Sequence, residues 1–266
     1  MQQILLVQNA LCLNTSSIEF AAYIAGLTKS RIYGLLIEQP EKAYATLPVG
    51  DEEDNSDFNN SAILEESIRS VKDVCKQHNV NCTLQYVKGA ALDAALKESR
   101  FSDLIITDAT ISFREEKMDE IPSRFVKDLL AHSECPVIVA PWKFGSIDEV
   151  IFAYDSSKSS VFAIKQFSYL FPALEETKIT LVQIASEDVD VLTESDKLKR
   201  WLMTHYNAVH IEVLNGEADE ELFKKLVATK NKLLVMGAYG RRKLLNYSTA
   251  DIILKNIDIP VFIAHQ

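Results

Sequence analysis

Two segments in the C-terminal half carry residue types and spacings suited to holding an anion. The first is Ala153-Tyr154-Asp155-Ser156-Ser157-Lys158-Ser159-Ser160, an apolar run that ends in a carboxylate and then turns small and polar. The second is Met236-Gly237-Ala238-Tyr239-Gly240-Arg241-Arg242-Lys243, followed by Ser248-Thr249-Ala250-Asp251. Gly237 and Gly240 carry no Cβ, so backbone N–H groups there can come close to a charged ligand. Ser248 and Asp251 have capping-box spacing, which predicts a helix start with unpaired N–H donors. Such donors, with the helix dipole, attract a phosphate. Arg241, Arg242 and Lys243 add positive charge to the same stretch. Asp155 supplies the complementary chemistry, an acceptor for a ribose hydroxyl or an adenine amino group. Each feature alone also fits a plainer role as a tight turn, a helix cap or solvated surface; brought together in one crevice, they describe a nucleotide site.

Other constellations are weaker. Cys75-x-x-His78-x-x-x-Cys82 has zinc-like spacing but offers three ligands rather than four, and Cys75 falls on the apolar stripe of a helix. The acidic run Asp51-Glu52-Glu53-Asp54-Asn55-Ser56-Asp57 resembles a calcium loop, yet Ser56 stands where Gly is required and Ala62 where Glu is required. It lies in an extra segment, about 39–60, that reads as a solvated loop. His205 and His210 bracket a turn without an evident partner. No Walker A loop or nucleophile elbow is present, and Asp155 alone supplies no general base with an orienting group. The residues point to binding, with slow nucleotide hydrolysis at most. No catalytic residue and no metal ligand is assigned.

The elements that must position these residues form a duplication. Cys135-Pro136-Val137-Ile138-Val139-Ala140 matches Ile259-Pro260-Val261-Phe262-Ile263-Ala264, and Asp103-Leu104-Ile105-Ile106-Thr107 matches Lys232-Leu233-Leu234-Val235-Met236. The opening strands near Ile4 and Val150 also correspond, and the halves meet near Pro141 to Ile147. Short Val-, Ile- and Leu-rich runs alternate with helical patterns, which implies parallel sheets covered on both faces. In the second half the pattern predicts strands at 149–154, 179–184, 209–214, 233–236 and 260–264. It predicts helices at 158–171, 195–206, 217–230 and 248–257. In the first half Leu64, Ile68, Val71 and Cys75 recur at helical spacing, Ser16-x-x-Glu19 suits a capping box, and Pro122 suits a first helical turn. Trp201 and Leu202, with Leu198 and His205, read as a buried stripe, and Phe162, Phe167 and Phe171 as core. The expected fold class is α/β: two Rossmann-like domains, 1–143 and 147–266, each a five-stranded parallel sheet with helices on both faces.

The 266 residues carry a formal net charge of −10, with a quarter of them charged. An acidic chain without a basic face argues against a nucleic-acid partner. No stretch approaches the roughly 20 apolar residues of a membrane span, and Met1 to Val7 read as a first strand rather than an export signal. A cytoplasmic chain with reduced Cys12, Cys75, Cys82 and Cys135 is expected.

At these residues the chain resembles the universal stress protein family, whose domains have the fold shared with adenine nucleotide alpha hydrolases. The resemblance rests on Phe152-Ala153-Tyr154-Asp155-Ser156-Ser157, Leu181-Val182-Gln183-Ile184, Met236-Gly237-Ala238-Tyr239-Gly240 and Pro260-Val261-Phe262-Ile263. It spans the second half and, more weakly, the first, as in tandem members of the family. It implies a stress-response or signalling protein that binds ATP, ADP or AMP, with or without Mg2+, in the C-terminal domain only. Asp155 and Ile184 would face adenine or ribose, Gly237, Tyr239 and Gly240 would line the phosphate path, and Ser248 and Thr249 would stand at the helix start. The resemblance also implies that the last strands of the two domains pair, and it leaves a homodimer open. Two departures stand out: six residues separate Gly240 from Tyr247, fewer than in the family's binding pattern, and Tyr247 replaces a Gly. Losing one backbone donor there costs about 1–3 kcal/mol, or about ten- to hundredfold in affinity. The first half lacks the Asp after Val7-Gln8 and has no Gly in Thr107 to Arg114, while Glu115, Glu116, Asp119 and Glu120 would repel a polyphosphate. It is expected to bind no nucleotide and to serve as a built-in packing partner. The alternative is a non-enzymatic interaction module with a vestigial crevice.

Overall fold

The computed structural model describes residues 1–39, 53–113, 120–184, 191–214, 218–227, 231–237 and 247–264. In the first half they form β1 (Gln3–Asn9), α1 (Thr15–Thr28), β2 (Arg31–Glu38), α2 (Glu53–Gln77), β3 (Cys82–Lys88), α3 (Ala91–Ser99), β4 (Leu104–Asp108), α4 (Arg124–His132) and β5 (Val137–Ala140). The second half repeats the order with β6 (Glu149–Tyr154), α5 (Lys158–Leu170), β7 (Lys178–Ile184), α6 (Val191–Leu202), β8 (Val209–Leu214), α7 (Ala218–Val227), β9 (Lys232–Gly237), α8 (Tyr247–Asn256) and β10 (Val261–Ala264). All five predicted strands of this half appear within a residue or so of their expected bounds. The four predicted helices appear too, but α6 starts and ends four residues early; for α7 the expected ends at 217 and 228–230 lie outside the described residues.

The ten strands form one sheet in the order β3-β2-β1-β4-β5-β10-β9-β6-β7-β8. Pairing is parallel within each half and antiparallel only between β5 and β10, where Ile138 faces Phe262. The central strands are buried, largely apolar runs because both faces are covered, whereas the edge strands β3 and β8 are only partly buried. One core layer takes Ile18, Phe20 and Ile24 of α1, Val71 and Cys75 of α2, Ile164 and Phe167 of α5 and Leu198 and Leu202 of α6. The other takes Ala91 and Ala95 of α3, Val126 and Leu129 of α4, Leu222 and Leu226 of α7 and Ile253 and Leu254 of α8. Both layers run across the seam. Phe167 meets Phe152, Phe171 and Phe262 at ring centroids 5.7, 4.5 and 5.2 Å apart. Phe162 and Trp201 pack only partly buried at the margin of this layer, and the His205 ring lies tilted against Trp201 at 4.4 Å. Between the halves, Phe144 lays its ring on Phe20 (4.9 Å) and Tyr23 (4.6 Å) of α1.

Local chemistry corrects three expectations. The cap of α1 is Asn14, whose side-chain oxygen accepts from Ser17 N–H at 3.1 Å, so Ser16 is already inside the helix. Asn14 wins because its carbonyl reaches the third helical N–H directly. Pro122 precedes the cap rather than entering α4: Ser123 Oγ accepts from Val126 N–H at 3.2 Å and donates to the Ile111 carbonyl at 2.6 Å. The extra segment is not a loop as far as Asn60, because α2 begins at Glu53. Acidic residues are favoured in a first helical turn by the dipole, and Asn60 hydrogen-bonds Glu38 at the end of β2. Asp51 and Glu52 lie outside the described residues.

Candidate functional site

The strand order reverses at β6, which pairs with β7 on one side and β9 on the other. The chain leaves β6 for α5 on one side of the sheet and reaches β9 by crossing back, so a crevice opens beyond the carboxyl ends of these two strands. The segments after β6 and β9 converge there.

On the first lip, Asp155 Oδ1 accepts from Ser157 N–H at 3.0 Å, closing a tight turn in which Ser156 takes φ 60°. Ser157 then caps α5, its Oγ accepting from Ser160 N–H at 3.1 Å. Asp155 is thereby fixed by one oxygen. Its other oxygen, Oδ2, is buried and has no hydrogen-bond partner among the described residues. A buried acceptor without a donor is costly, by about 1–3 kcal/mol, unless a ligand or water satisfies it.

On the second lip, β9 ends at Gly237 against the first turn of α5. A Cβ at 237 would lie 2.5 Å from the Ser159 carbonyl carbon and 2.6 Å from the Ser160 nitrogen. Glycine is therefore required here by strand–helix packing alone, a reason the sequence reading did not contain. Ala153 and Met236 are buried in one core layer and Tyr154 in the other, so these strand-end residues form the floor of the crevice. Ile184 closes β7. Ser248 and Thr249 lie in the first turn of α8, which starts at Tyr247, one residue before its expected bound. Asp251, expected to complete a capping box with Ser248, pairs with Lys127 of α4 at 3.2 Å, an ion pair between the two halves that spacing alone did not reveal. Tyr239, Gly240 and Arg241, with Arg242 and Lys243, lie outside the described residues.

The equivalent place in the first half is built differently. The ladders match Ile4 beside Leu104 with Val150 beside Leu233, which puts Asn9 at the position of Asp155 and Asp108 at that of Gly237. Asn9 Oδ1 accepts from Leu11 N–H at 2.9 Å, the same turn as at Asp155. Its Nδ2, however, donates to the Ser112 carbonyl at 2.8 Å, tying the two lips together. Asp108 is 5% exposed, and its Oδ1 accepts from both the N–H and the hydroxyl of Thr110. The signal was in the sequence once the repeats were put in register: Asp155 is Asn9, and Gly237 is Asp108.

At the opposite ends of the same strands, Glu149 accepts from Lys232 (2.9 Å), Lys178 (3.2 Å) and Thr180. Burial alone would raise its carboxyl, but the hydrogen bonds from Lys232, Thr180 and Lys178 and the Lys232 charge outweigh it and bring it down to about 2. Among the described residues no cluster of three His, Cys, Asp or Glu side chains could hold a metal ion, and no helix is long and apolar enough to cross a membrane.

No protein-family model matches the chain. A universal stress protein of Synechocystis sp. is 29% identical over 131 residues, which are 47% of this chain and 45% of that protein. The match therefore spans less than half of that relative's length. Among solved structures, a universal stress protein of Archaeoglobus fulgidus DSM 4304 superposes over 98% of both chains, with a TM-score of 0.73 at 16% identity. A shorter universal stress protein of Archaeoglobus fulgidus, solved in complex with dAMP, matches 52% of this chain and 94% of its own, with a TM-score of 0.34 at 14% identity. The expected resemblance to universal stress proteins is borne out, and the α/β fold is shared along nearly the whole chain.

Proposed function

We propose that this chain, which has the universal stress protein fold, is a tandem member of that family acting in a cytoplasmic stress response or signalling. In this reading it holds one adenine nucleotide (ATP, ADP or AMP) in the crevice between β6 and β9. Residues 1–143 and 147–266 are the two domains, and the first works as a packing partner through the β5–β10 seam. The observation that carries the reading is the buried Oδ2 of Asp155 at the strand switch point, which has no hydrogen-bond partner among the described residues. It is an acceptor positioned for a ribose hydroxyl or an adenine amino group. The first half supports the restriction to one site: Asn9 is satisfied by Ser112, and a buried carboxylate, Asp108, stands where Gly237 stands in the second half. Mg2+, when bound, would be held mainly by the nucleotide's phosphates. Binding rather than turnover fits Asp155, whose described partner is a backbone N–H and not a base.

A second reading, a non-enzymatic interaction module with a vestigial crevice, is favoured by Gly237, which strand–helix packing explains without any ligand. Calorimetric titration of ATP, ADP and AMP, with mass spectrometry of small molecules released from the purified protein, separates the two. One nucleotide per chain is expected, weakened at least tenfold by Asp155→Ala and by Gly240→Val and unchanged by Asn9→Ala. Equal affinity in wild type, Asp155→Ala and Gly240→Val, or two nucleotides per chain, rejects the proposed site. No binding to folded wild type supports the interaction module.

A further inference from the structure

The end of α2 and the start of β3 bring two thiols together. α2 closes on Asn79, in the left-handed region at φ 55°, and Val80 N–H donates to the Cys75 carbonyl at 2.9 Å. This reversal lets Cys82 open β3 beside Ile32 of β2. Alternation along β3 turns Cys82 and Leu84 toward the core layer that contains Val71 and Cys75, and both pack against it. Cys75 is buried, Cys82 only half-buried, and neither is in a disulfide. The two thiols lie within hydrogen-bonding reach of each other, and this contact favours the thiolate on Cys75 and the thiol on Cys82. Among the described residues no third His, Cys, Asp or Glu completes a three-ligand cluster with the pair.

We propose that Cys75 and Cys82 form a dithiol that hydrogen peroxide oxidises to an intrachain disulfide, fastening the end of α2 to the edge strand β3. A thiolate of the pair attacks the O–O bond, giving a sulfenic acid and a hydroxide that leaves as water after taking a proton. The other thiol of the pair then loses its proton and attacks the sulfenic sulfur, expelling the second oxygen as water. Two thiols and one peroxide become one disulfide and two waters. The seven-residue separation closes a short ring whose ends the Val80–Cys75 hydrogen bond has already brought together.

The sequence supplies its own assay, because trypsin cuts after Lys72, Lys76 and Lys88 and so separates the two cysteines. Full-length protein is treated with peroxide, alkylated and digested without reductant. The expected product is Asp73–Lys76 joined to Gln77–Lys88, two hydrogens lighter than the separate peptides, lost on reduction and absent from Cys82→Ser. Separately alkylated Cys75 and Cys82, at a peroxide dose that oxidises the exposed Cys12, overturns the proposal. Comparable yields of Cys75 joined to Cys12 or Cys135 do so as well.

Discussion

Replacing Gly237 by alanine tests whether β9 and α5 are packed as tightly as the geometry requires. The added Cβ would meet three backbone atoms: the Ser159 carbonyl carbon at 2.5 Å, the Ser160 nitrogen at 2.6 Å and the Ser159 oxygen at 2.8 Å. Ordinary carbon contacts begin near 3.5 Å, so the start of α5 must retreat by roughly 1 Å. It cannot do so freely. Ser157 caps it at one end, and Ala163, Ile164 and Phe167 are fully buried a turn or two further on. Overpacking of this kind costs about 2–3 kcal/mol. In urea, with a slope near the upper end of about 1–3 kcal/mol/M, the unfolding midpoint should fall by about 1 M with the slope unchanged. Gly26→Ala is the control: a Cβ there meets nothing within 4 Å, inside α1, and should raise stability by about 0.5–1 kcal/mol. Gly237→Ala as stable as wild type would refute the packing argument and return the explanation of this glycine to a ligand.

Two further changes probe the frame around the crevice. Glu149 has a folded pKa lowered from 4.5 to about 2, so its stabilisation is complete above pH 4.5 and is lost as pH falls toward 2. Glu149→Gln should cost about 2–3 kcal/mol at neutral pH, by leaving Lys232 buried beside a neutral group, and should flatten that acid limb; parallel pH curves for variant and wild type would contradict this. Phe144→Ala removes the rings' contact with Phe20 and Tyr23 and should cost about 2–3 kcal/mol, less than a fully enclosed phenylalanine. Calorimetry should show a single transition at a lower temperature, and an unmoved midpoint would mean that the connector does not anchor the halves.

The central strands were legible because they are apolar runs and the edge strand Val209–Leu214 because it alternates, and Glu149–Tyr154 and Val209–Leu214 carry the expected bounds. Helix starts were less so. Ser16 and Asn14 both carry capping side chains, and spacing does not say which reaches the free N–H. Glu53 to Asn60 is acidic and polar enough to read as loop, and its helix emerges only when the apolar stripe from Leu64 onward lies on α1. At the crevice, residue types identified Asp155 and Gly237 as a pair, but the reason for glycine is a backbone contact with Ser159, which no local pattern encodes. Lys127 and Asp251 are far apart in sequence and meet only because α4 and α8 share one face of the sheet.

The junction between β5 and β10 has Val137 opposite Ile263, Ile138 opposite Phe262 and Val139 opposite Val261. The pseudo-axis thus runs through Ile138 and Phe262, two unlike residues. In a symmetric dimer a residue on the axis meets its own copy. Two N-terminal halves joined this way would place isoleucine on isoleucine, and two C-terminal halves phenylalanine on phenylalanine, whose ring here is already engaged with Phe167 and Phe171. Each half is thereby shaped for the other rather than for its own copy, which disfavours like-with-like pairing of halves from neighbouring chains.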